Sequence, residues 1–292
     1  MATMRELKGR IASVHSSQKI TGAMKMISSA RLRKAENKLL QATPYRKKLW
    51  EIYAHIERSG CDYQSPLAVV RKVKSVAVVI YASDDGLCGA FNINLYKKLS
   101  EVVHSYQNAG VREITVFPVG KKIASDVRRI PGIRLGNHPA EFEHKDYPAA
   151  TRVFADELAE NFLKGDYDRI DVVYAHYKSM GVQLIQVKQF LPVVTEPLEV
   201  SDIPDEQDPW YIYEPDCKTV LEMLYPLLLH AWMYEKLMEN KTSEQAARIL
   251  AMQMANDNAL KLLGNLQLEY NKLRQQGITT ELLDIAGGSS RE

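Results

Sequence analysis

The sequence has no run of about eighteen apolar residues, so it predicts no membrane-spanning helix. Its first residues, MATMRELKGRIASV, lack the apolar core and the cleavage site of a secretion signal. The three cysteines are odd in number and lack metal-ligand spacing, and we therefore expect reduced thiols in a reducing compartment. Proline is absent after Pro226, which leaves the rest of the chain free to form a long helix.

The sequence also lacks the motifs of common catalytic sites. Gly120–Lys122 has neither the upstream glycine nor the Ser or Thr of a phosphate-binding P-loop. The turn Asp84–Gly89 follows a predicted strand, but its glycines are spaced unlike those of dinucleotide-binding domains, and its two aspartates would repel a phosphate. We expect a close-packing turn with Cys88 as a buried structural thiol, and His138 and His144 on the surface. No catalytic residue, cofactor or metal site is predicted.

The small net charge of +2 hides a strong asymmetry. Residues 1–58 contain thirteen basic and four acidic residues, a net charge of +9, so the remainder is acidic overall. A basic helix of this kind could bind nucleic acid. However, its aromatic residues Tyr45, Trp50 and Tyr53 cluster at one end and form no stacking platform. A solvated basic face, or a face for an acidic protein partner, is the preferred interpretation.

Two long helical patterns occupy the ends of the chain. In residues 4–58 the apolar or small positions follow steps of four and three, as in a coiled-coil seam. The pattern weakens between Gln18 and Ser28, which indicates loose packing, contact with another protein, or a polar patch that fixes the register. Thr43-Pro44 should kink or interrupt this helix. The predicted seam positions are Leu7, Ile11, Val14, Gln18, Thr21, Lys25, Ser28, Leu32, Ala35, Leu39, Ala42, Arg46, Leu49, Tyr53 and Ile56.

The second pattern runs from Thr242 to Ile285. Thr242–Gln245 resembles a capping box that can cap or restart the helix, and Gly287-Gly288 is a stop signal. About forty residues of helix would be roughly 60 Å long, so this helix needs a partner along its length. The predicted seam positions are Ile249, Met252, Asn256, Ala259, Leu263, Leu266, Tyr270, Leu273 and Gly277.

The middle of the chain alternates strands and helices. The predicted strands are Ser75–Tyr81, Glu113–Val119, Ile170–His176 and Val182–Phe190, and the last alternates as an antiparallel or edge strand would. Helical patterns cover Phe91–Gln107, Lys121–Arg129 and Ala149–Lys164. Residues 196–216 resemble a linker, and helix resumes at Pro215-Asp216.

These patterns predict an α/β fold in which the N- and C-terminal helices form an antiparallel coiled coil with an inserted Rossmann-like α/β domain. The expected domains are 1–60 (N-terminal coiled-coil helix), 61–208 (α/β foot domain) and 209–292 (C-terminal coiled-coil helix).

Four segments resemble the gamma subunit of the F-type rotary ATP synthase, and the resemblance extends over essentially the whole chain. They are Lys8–Ala35, Asp84–Asn92, Ser243–Met252 and Leu266–Gly288. The resemblance implies a non-catalytic shaft inside a ring of alpha and beta subunits, with the foot on the epsilon subunit and the membrane ring of c subunits. Such a shaft couples proton or sodium flow to ATP synthesis. It implies no bound nucleotide, no nucleic acid and no direct insertion into the membrane.

The resemblance also implies partner-binding residues. Met24 and Lys25 would face acidic levers of the beta subunits, and Tyr211 and Glu214 would meet the rotor ring and epsilon subunit. The residues that would hydrogen-bond the beta subunits are Arg248, Arg274, Gln275, Thr279 and Glu281. For any single charge, a solvated helix face worth less than about 1 kcal/mol is the competing interpretation.

Two departures from the family pattern stand out: Asp85 replaces a usual basic residue, and residues 289–292 form a polar end. No evident transit peptide precedes the helix, so a bacterial protein at the cytoplasmic face of the inner membrane is expected. Two alternatives remain open from the residues: an α/β nucleotide-binding enzyme with coiled-coil oligomerisation arms, and a nucleic-acid-binding coiled coil.

Overall fold

The computed structural model describes residues 3–61, 63–193 and 212–289. The chain divides into two compact units, one formed by Met1–Ala30 and Arg248–Glu292 and the other by Arg31–Ala247. This division assigns part of each terminal helix to each unit. It does not test the predicted domains 1–60, 61–208 and 209–292, which therefore stay a prediction. The elements are α1 (Met4–Arg58), a 3-10 turn (Pro66–Ala68), β1 (Ser75–Tyr81), α2 (Phe91–Asn108), β2 (Glu113–Val119), α3 (Lys121–Val127), β3 (Arg134–Leu135), α4 (Glu141–His144), α5 (Tyr147–Lys164), β4 (Arg169–Ser179), β5 (Val182–Leu191) and α6 (Cys217–Ser289).

The strands of the second unit form one sheet in the order β3-β2-β1-β4-β5. Strands β1, β2, β3 and β4 are parallel to one another, whereas β5 pairs antiparallel with β4 at the edge. The prediction of a mostly parallel sheet with an antiparallel edge strand is confirmed. The long apolar runs of β1 and β2 arise because both faces of the sheet are buried.

Alternate residues of each strand enter two separate apolar clusters. From β1, Val76, Val78 and Ile80 pack with α2 and α3 on one face. Val79 and Tyr81 face the other cluster, which contains α5 and the parts of α1 and α6 that belong to this unit. The unit is therefore a three-layer α/β structure, and the two long helices form part of its core.

A disulfide joins Cys61 to Cys217, with their Cα atoms 6.3 Å apart. Cys61 lies just after the end of α1, and Cys217 is the first residue of α6. The expectation of three reduced thiols is therefore wrong for these two, because folding brings together positions separated by 156 residues. Cys88 is free and buried, as predicted.

The first unit consists of paired helical segments whose seam positions were predicted. Leu7 is fully buried, and Leu263 and Leu266 are each 7% exposed. Across both units, every predicted seam position of α1 is buried or half-buried. In α6 the same holds from Ile249 to Leu273, whereas Gly277 is exposed. The periodicity therefore identified the packed face of both helices.

Three predicted interruptions of the helices are wrong. Helix α1 continues through Pro44 without an interruption, because contacts of the flanking turns hold the helix despite the missing N–H. The alternative of a kink at Pro44 stays a prediction. Helix α6 does not restart at Thr242, whose hydroxyl instead donates to the Met238 carbonyl at 2.8 Å. The helix also passes through Gly287-Gly288 to Ser289, the last residue described, since glycine tolerates the helical conformation.

Candidate functional site: partner-binding surfaces

The weak part of the coiled-coil seam contains polar contacts between α1 and α6. The Gln18 side-chain amide donates to Asn256 Oδ1 at 3.1 Å, and Lys25 Nζ donates to Gln253 Oε1. A polar pair in a seam satisfies its hydrogen bonds in one alignment only, so it fixes the register of the two helices. These contacts support the register-fixing patch among the interpretations that the sequence left open.

Met24 and Lys25 are half-buried, and exposed apolar side chains surround them in the sequence. Ile20 is 60%, Met26 71% and Ile27 53% exposed. The sequence patterns indicate the basic charge of this segment but not the exposure of these apolar residues. Apolar residues on the outward face of a helix whose inner face is already packed indicate a surface for another protein.

The end of α6 carries four of the nine residues that the resemblance singled out. Arg274, Gln275, Thr279 and Glu281 are all exposed. The Thr279 hydroxyl donates to the Gln275 carbonyl at 2.9 Å, so its oxygen keeps acceptor capacity. The same stretch exposes large apolar side chains, with Ile278 at 50%, Leu282 at 61%, Leu283 at 66% and Ile285 at 69% exposure. The segment thus combines hydrogen-bonding and apolar groups.

The other predicted contact residues are placed differently. Arg248 is only 2% exposed, and a contact with another subunit would require its side chain to leave this buried position. Glu214 is exposed, just before α6. Tyr211 lies outside the described residues. The structure therefore places Arg274 to Glu281 together at one end of α6, in the first unit. Glu214 belongs to the second unit.

Polar residues of α6 bind the carboxyl end of β4 within the second unit. Asn240 Oδ1 accepts from the Ala175 N–H at 3.0 Å, and Ser243 Oγ donates to the Ala175 carbonyl at 2.9 Å. Both side chains are fully buried. The edge where a doubly wound sheet would bind a cofactor is therefore partly covered by the chain itself.

Charged groups near this edge are paired. Lys241 Nζ lies 3.4 Å from both Asp84 and Glu244. Burial lowers the pKa of Lys241, but the attraction of Glu244, Tyr147 and Asp84 outweighs burial, so the pKa is raised and the ammonium stays charged. Within the described ranges, no group of three His, Cys, Asp or Glu residues could hold a metal ion. None of the described helices is long and apolar enough to cross a membrane.

Comparisons with known proteins agree over nearly the full length of the chain. A family model described as ATP synthase matches residues 3–290. The ATP synthase gamma chain of Parabacteroides distasonis is 39% identical over 99% of each chain. The gamma chain of Flavobacterium johnsoniae is 37% identical over 99% of this chain and 98% of that protein.

A solved structure has the same fold. A chain of the Euglena gracilis mitochondrial ATP synthase, from an OSCP/F1/c-ring assembly, covers 98% of this chain with a TM-score of 0.65. Its sequence is 24% identical over a match that includes 93% of that chain, and the likeness extends to the long terminal helices as well as the sheet. The family model and the bacterial relatives show that the chain belongs to the ATP synthase gamma chain family.

Proposed function

We propose that this chain is the central rotor shaft of an F-type ATP synthase. It couples ion flow through the membrane rotor to conformational change, and hence to ATP synthesis or hydrolysis, at the beta subunits. The observation that carries this function is that α1 and α6 contact each other within each of the two units, since paired helices have the stiffness to transmit torque. The chain itself is a non-catalytic subunit.

The mechanism requires that the shaft present different faces to equivalent sites around it. A ligand or partner shifts a conformational equilibrium only when it contacts the two states differently. The exposed apolar residues near Met24 and the cation of Lys25 suit an acidic, partly apolar lever on a beta subunit. Opposite charges would steer and align such a sliding contact. Rotation would present this face to each beta subunit in turn.

The end of α6 is the second proposed contact with the beta subunits. Arg274 supplies a planar guanidinium that can hold a carboxylate at two points, and Gln275, Thr279 and Glu281 add exposed donors and acceptors. The exposed apolar side chains of the same segment would be buried by a surrounding ring. Arg248 remains in the proposed set, although its burial makes a direct contact depend on movement of its side chain.

The second unit is proposed to contact the epsilon subunit and the c ring through Tyr211 and Glu214. The exposed carboxylate of Glu214 supports this assignment. As a gamma chain, the protein is part of a membrane-associated complex. We place it peripherally, at the cytoplasmic face of a bacterial inner membrane.

A reconstitution experiment tests these contacts. The full chain is mixed with alpha and beta subunits of the same enzyme, and the ring complex is isolated and assayed for ATP hydrolysis. We expect one copy per ring, with turnover only in the complex. Arg274→Ala should weaken assembly about tenfold, because it removes charge-assisted hydrogen bonds. Lys272→Ala removes an exposed cation two residues away and serves as the matched control. Equal effects of the two variants would contradict the proposed role of Arg274, and turnover by the chain alone would contradict the shaft function.

A further inference from the structure

A cavity of about 330 Å³ lies beside the turn that follows β1, within the second unit. A smaller cavity of about 160 Å³ shares five of its lining residues. In the sheet, β1 lies between β2 and β4, so the strand order reverses there. Parallel α/β sheets bind ligands beyond the carboxyl ends of the strands at this reversal. The cavity therefore has the volume and the position of a small-molecule site.

The larger cavity carries a net positive charge. Five cationic and three carboxylate side chains line it, a net charge of +2. They are Arg31, Lys34, Lys38, Lys145 and Lys241, with Asp84, Asp85 and Glu244. From the sequence alone, Asp84 and Asp85 are expected to repel a phosphate. In the structure, Asp84 pairs with Lys241 at 3.4 Å and Asp85 with Arg31 at 3.8 Å, so neither acts as an isolated negative charge.

Three lysines of this cavity make no ion pair with any residue that the structure describes. Lys34 and Lys38 follow Arg31 at steps of three and four, which places all three cations on one face of α1. Lys145 ends α4 in the left-handed conformation, with φ at 61°. A non-glycine residue at such an angle costs about 1–2 kcal/mol, and such positions cluster at ligand sites. Here the strained position puts a cation on the cavity wall.

The buried residue Gln245 also lines the cavity. Gln245 is 8% exposed, and its side-chain carbonyl oxygen has no hydrogen-bond partner among the described residues. The Gln245 amide nitrogen donates to Glu244 Oε1 at 3.2 Å, and this hydrogen bond identifies the other atom of the amide group, the oxygen, as the one without a partner. Burial raises the pKa of Tyr147, so the phenol keeps its proton and can donate. A ligand that pairs with the lysines and with the Gln245 carbonyl oxygen must have a hydrogen-bond donor as well as negative charge.

We propose that this cavity binds a small phosphate monoester that carries hydroxyl groups, of about the size of a sugar phosphate. Lys34, Lys38 and Lys145 bind the phosphate oxygens, and a ligand hydroxyl donates to the carbonyl of Gln245. The ligand is bound without chemical change. Its binding is independent of the shaft function, because every lining residue belongs to the unit Arg31–Ala247.

Isothermal titration of the full chain with ribose 5-phosphate and with inorganic phosphate tests the proposal. We expect saturable binding of ribose 5-phosphate with a stoichiometry of one. The double variant Lys34→Ala, Lys38→Ala should weaken this binding about tenfold or more, since two of the three phosphate contacts are lost. Lys47→Ala removes an exposed cation of the same helix outside the cavity and should change the affinity less than about twofold.

Gln245→Met tests the hydroxyl contact separately from the phosphate contact, because it removes the side-chain amide, nearly preserves the side-chain volume and leaves the lysines in place. It should weaken ribose 5-phosphate about fivefold and leave inorganic phosphate unchanged, because only the sugar hydroxyl contacts the amide. Circular dichroism of each variant verifies the fold. Three results would overturn the proposal: no saturable binding of ribose 5-phosphate, the same loss of affinity with Lys47→Ala as with the double variant, or an unchanged affinity in Gln245→Met.

Discussion

The buried ion pair between Arg46 and Glu235 gives a sharp test of how α1 and α6 are held together in the second unit. The side chains are 19% and 3% exposed, and Arg46 Nε contacts Glu235 Oε2. The Thr43 hydroxyl donates to Glu235 Oε1 at 3.1 Å, and Lys236 Nζ lies 3.9 Å from Oε2. Each charge has been removed from water and depends on its partners.

Removing one partner should cost much more than removing both. Glu235→Leu leaves the Arg46 cation largely buried without its carboxylate, and we expect a loss of about 3 kcal/mol in the free energy of unfolding. Arg46→Met should cost about 2 kcal/mol, because Lys236 partly compensates Glu235. The double variant replaces the pair with apolar side chains and should be within about 1 kcal/mol of the original chain, which gives a coupling energy of about 4 kcal/mol.

Urea unfolding of the full chain, followed by far-ultraviolet circular dichroism, measures these four proteins. The exposed pair Glu160–Lys164, 3.4 Å apart on α5, is the control, since both side chains are more than 60% exposed. Its own double-mutant cycle with alanine should give a coupling below about 0.5 kcal/mol. A coupling energy for Arg46 and Glu235 as small as that of the control would refute the reasoning.

Three further predictions use the seam, the disulfide and a perturbed phenol. Leu263→Ala should cost about 3 kcal/mol in urea unfolding while the exposed Leu268→Ala stays within about 0.5 kcal/mol, and equal costs would remove Leu263 from the seam. Reducing Cys61–Cys217, which closes a separation of 156 residues, should destabilise the chain by up to about 5 kcal/mol, and an unchanged urea midpoint would contradict this. Burial, and next the hydrogen bond to the Glu36 carboxylate, raises the pKa of Tyr177 to about 12. The protonated phenol therefore stabilises the fold below about pH 10, and this contribution is lost as the pH rises towards 12. An ultraviolet difference titration against Tyr177→Phe should show that late ionisation; a midpoint near 10 would show that the phenol is unperturbed.

Local periodicity made much of the fold predictable. The positions from Leu7 to Ile56 repeat at steps of three and four because a helix brings such residues onto one stripe, and each of them is packed. The strands Ser75–Tyr81 and Glu113–Val119 have the predicted bounds, because continuous apolar runs with β-branched residues are distinctive. The two-residue β3 and the four-residue α4 are too short to leave a pattern.

Features that depend on distant contacts were not predictable. No local signal pairs Cys61 with Cys217, because their proximity arises only when α1 and α6 pack together. Thr242 carries the composition of a helix cap, yet a hydroxyl can equally bond back to the carbonyl four residues earlier, and tertiary packing decides between the two. Pro44 remains helical for the same reason.

The candidate binding surfaces also differ in whether the local sequence predicts them or only the folded chain reveals them. The exposed end of α6 around Arg274 follows from resemblance and from the fading of the seam after Leu273. The burial of Arg248 could not be read from its sequence motif, since it depends on what surrounds the helix. The cavity beside β1 takes side chains from α1, α5, α6 and two connecting segments, so only the folded chain shows that Lys34 and Lys145 line one cavity.

Single-molecule observation of rotation tests the central claim most directly. Lys178→Cys places a label on an exposed residue of the second unit, while the alpha and beta ring is fixed to a surface. If this chain is the shaft, a bead on that label should turn stepwise in one direction on addition of ATP. It should stall or slip with a chain that ends at Leu273. ATP turnover by the fixed ring with a bead that stays still would contradict the account.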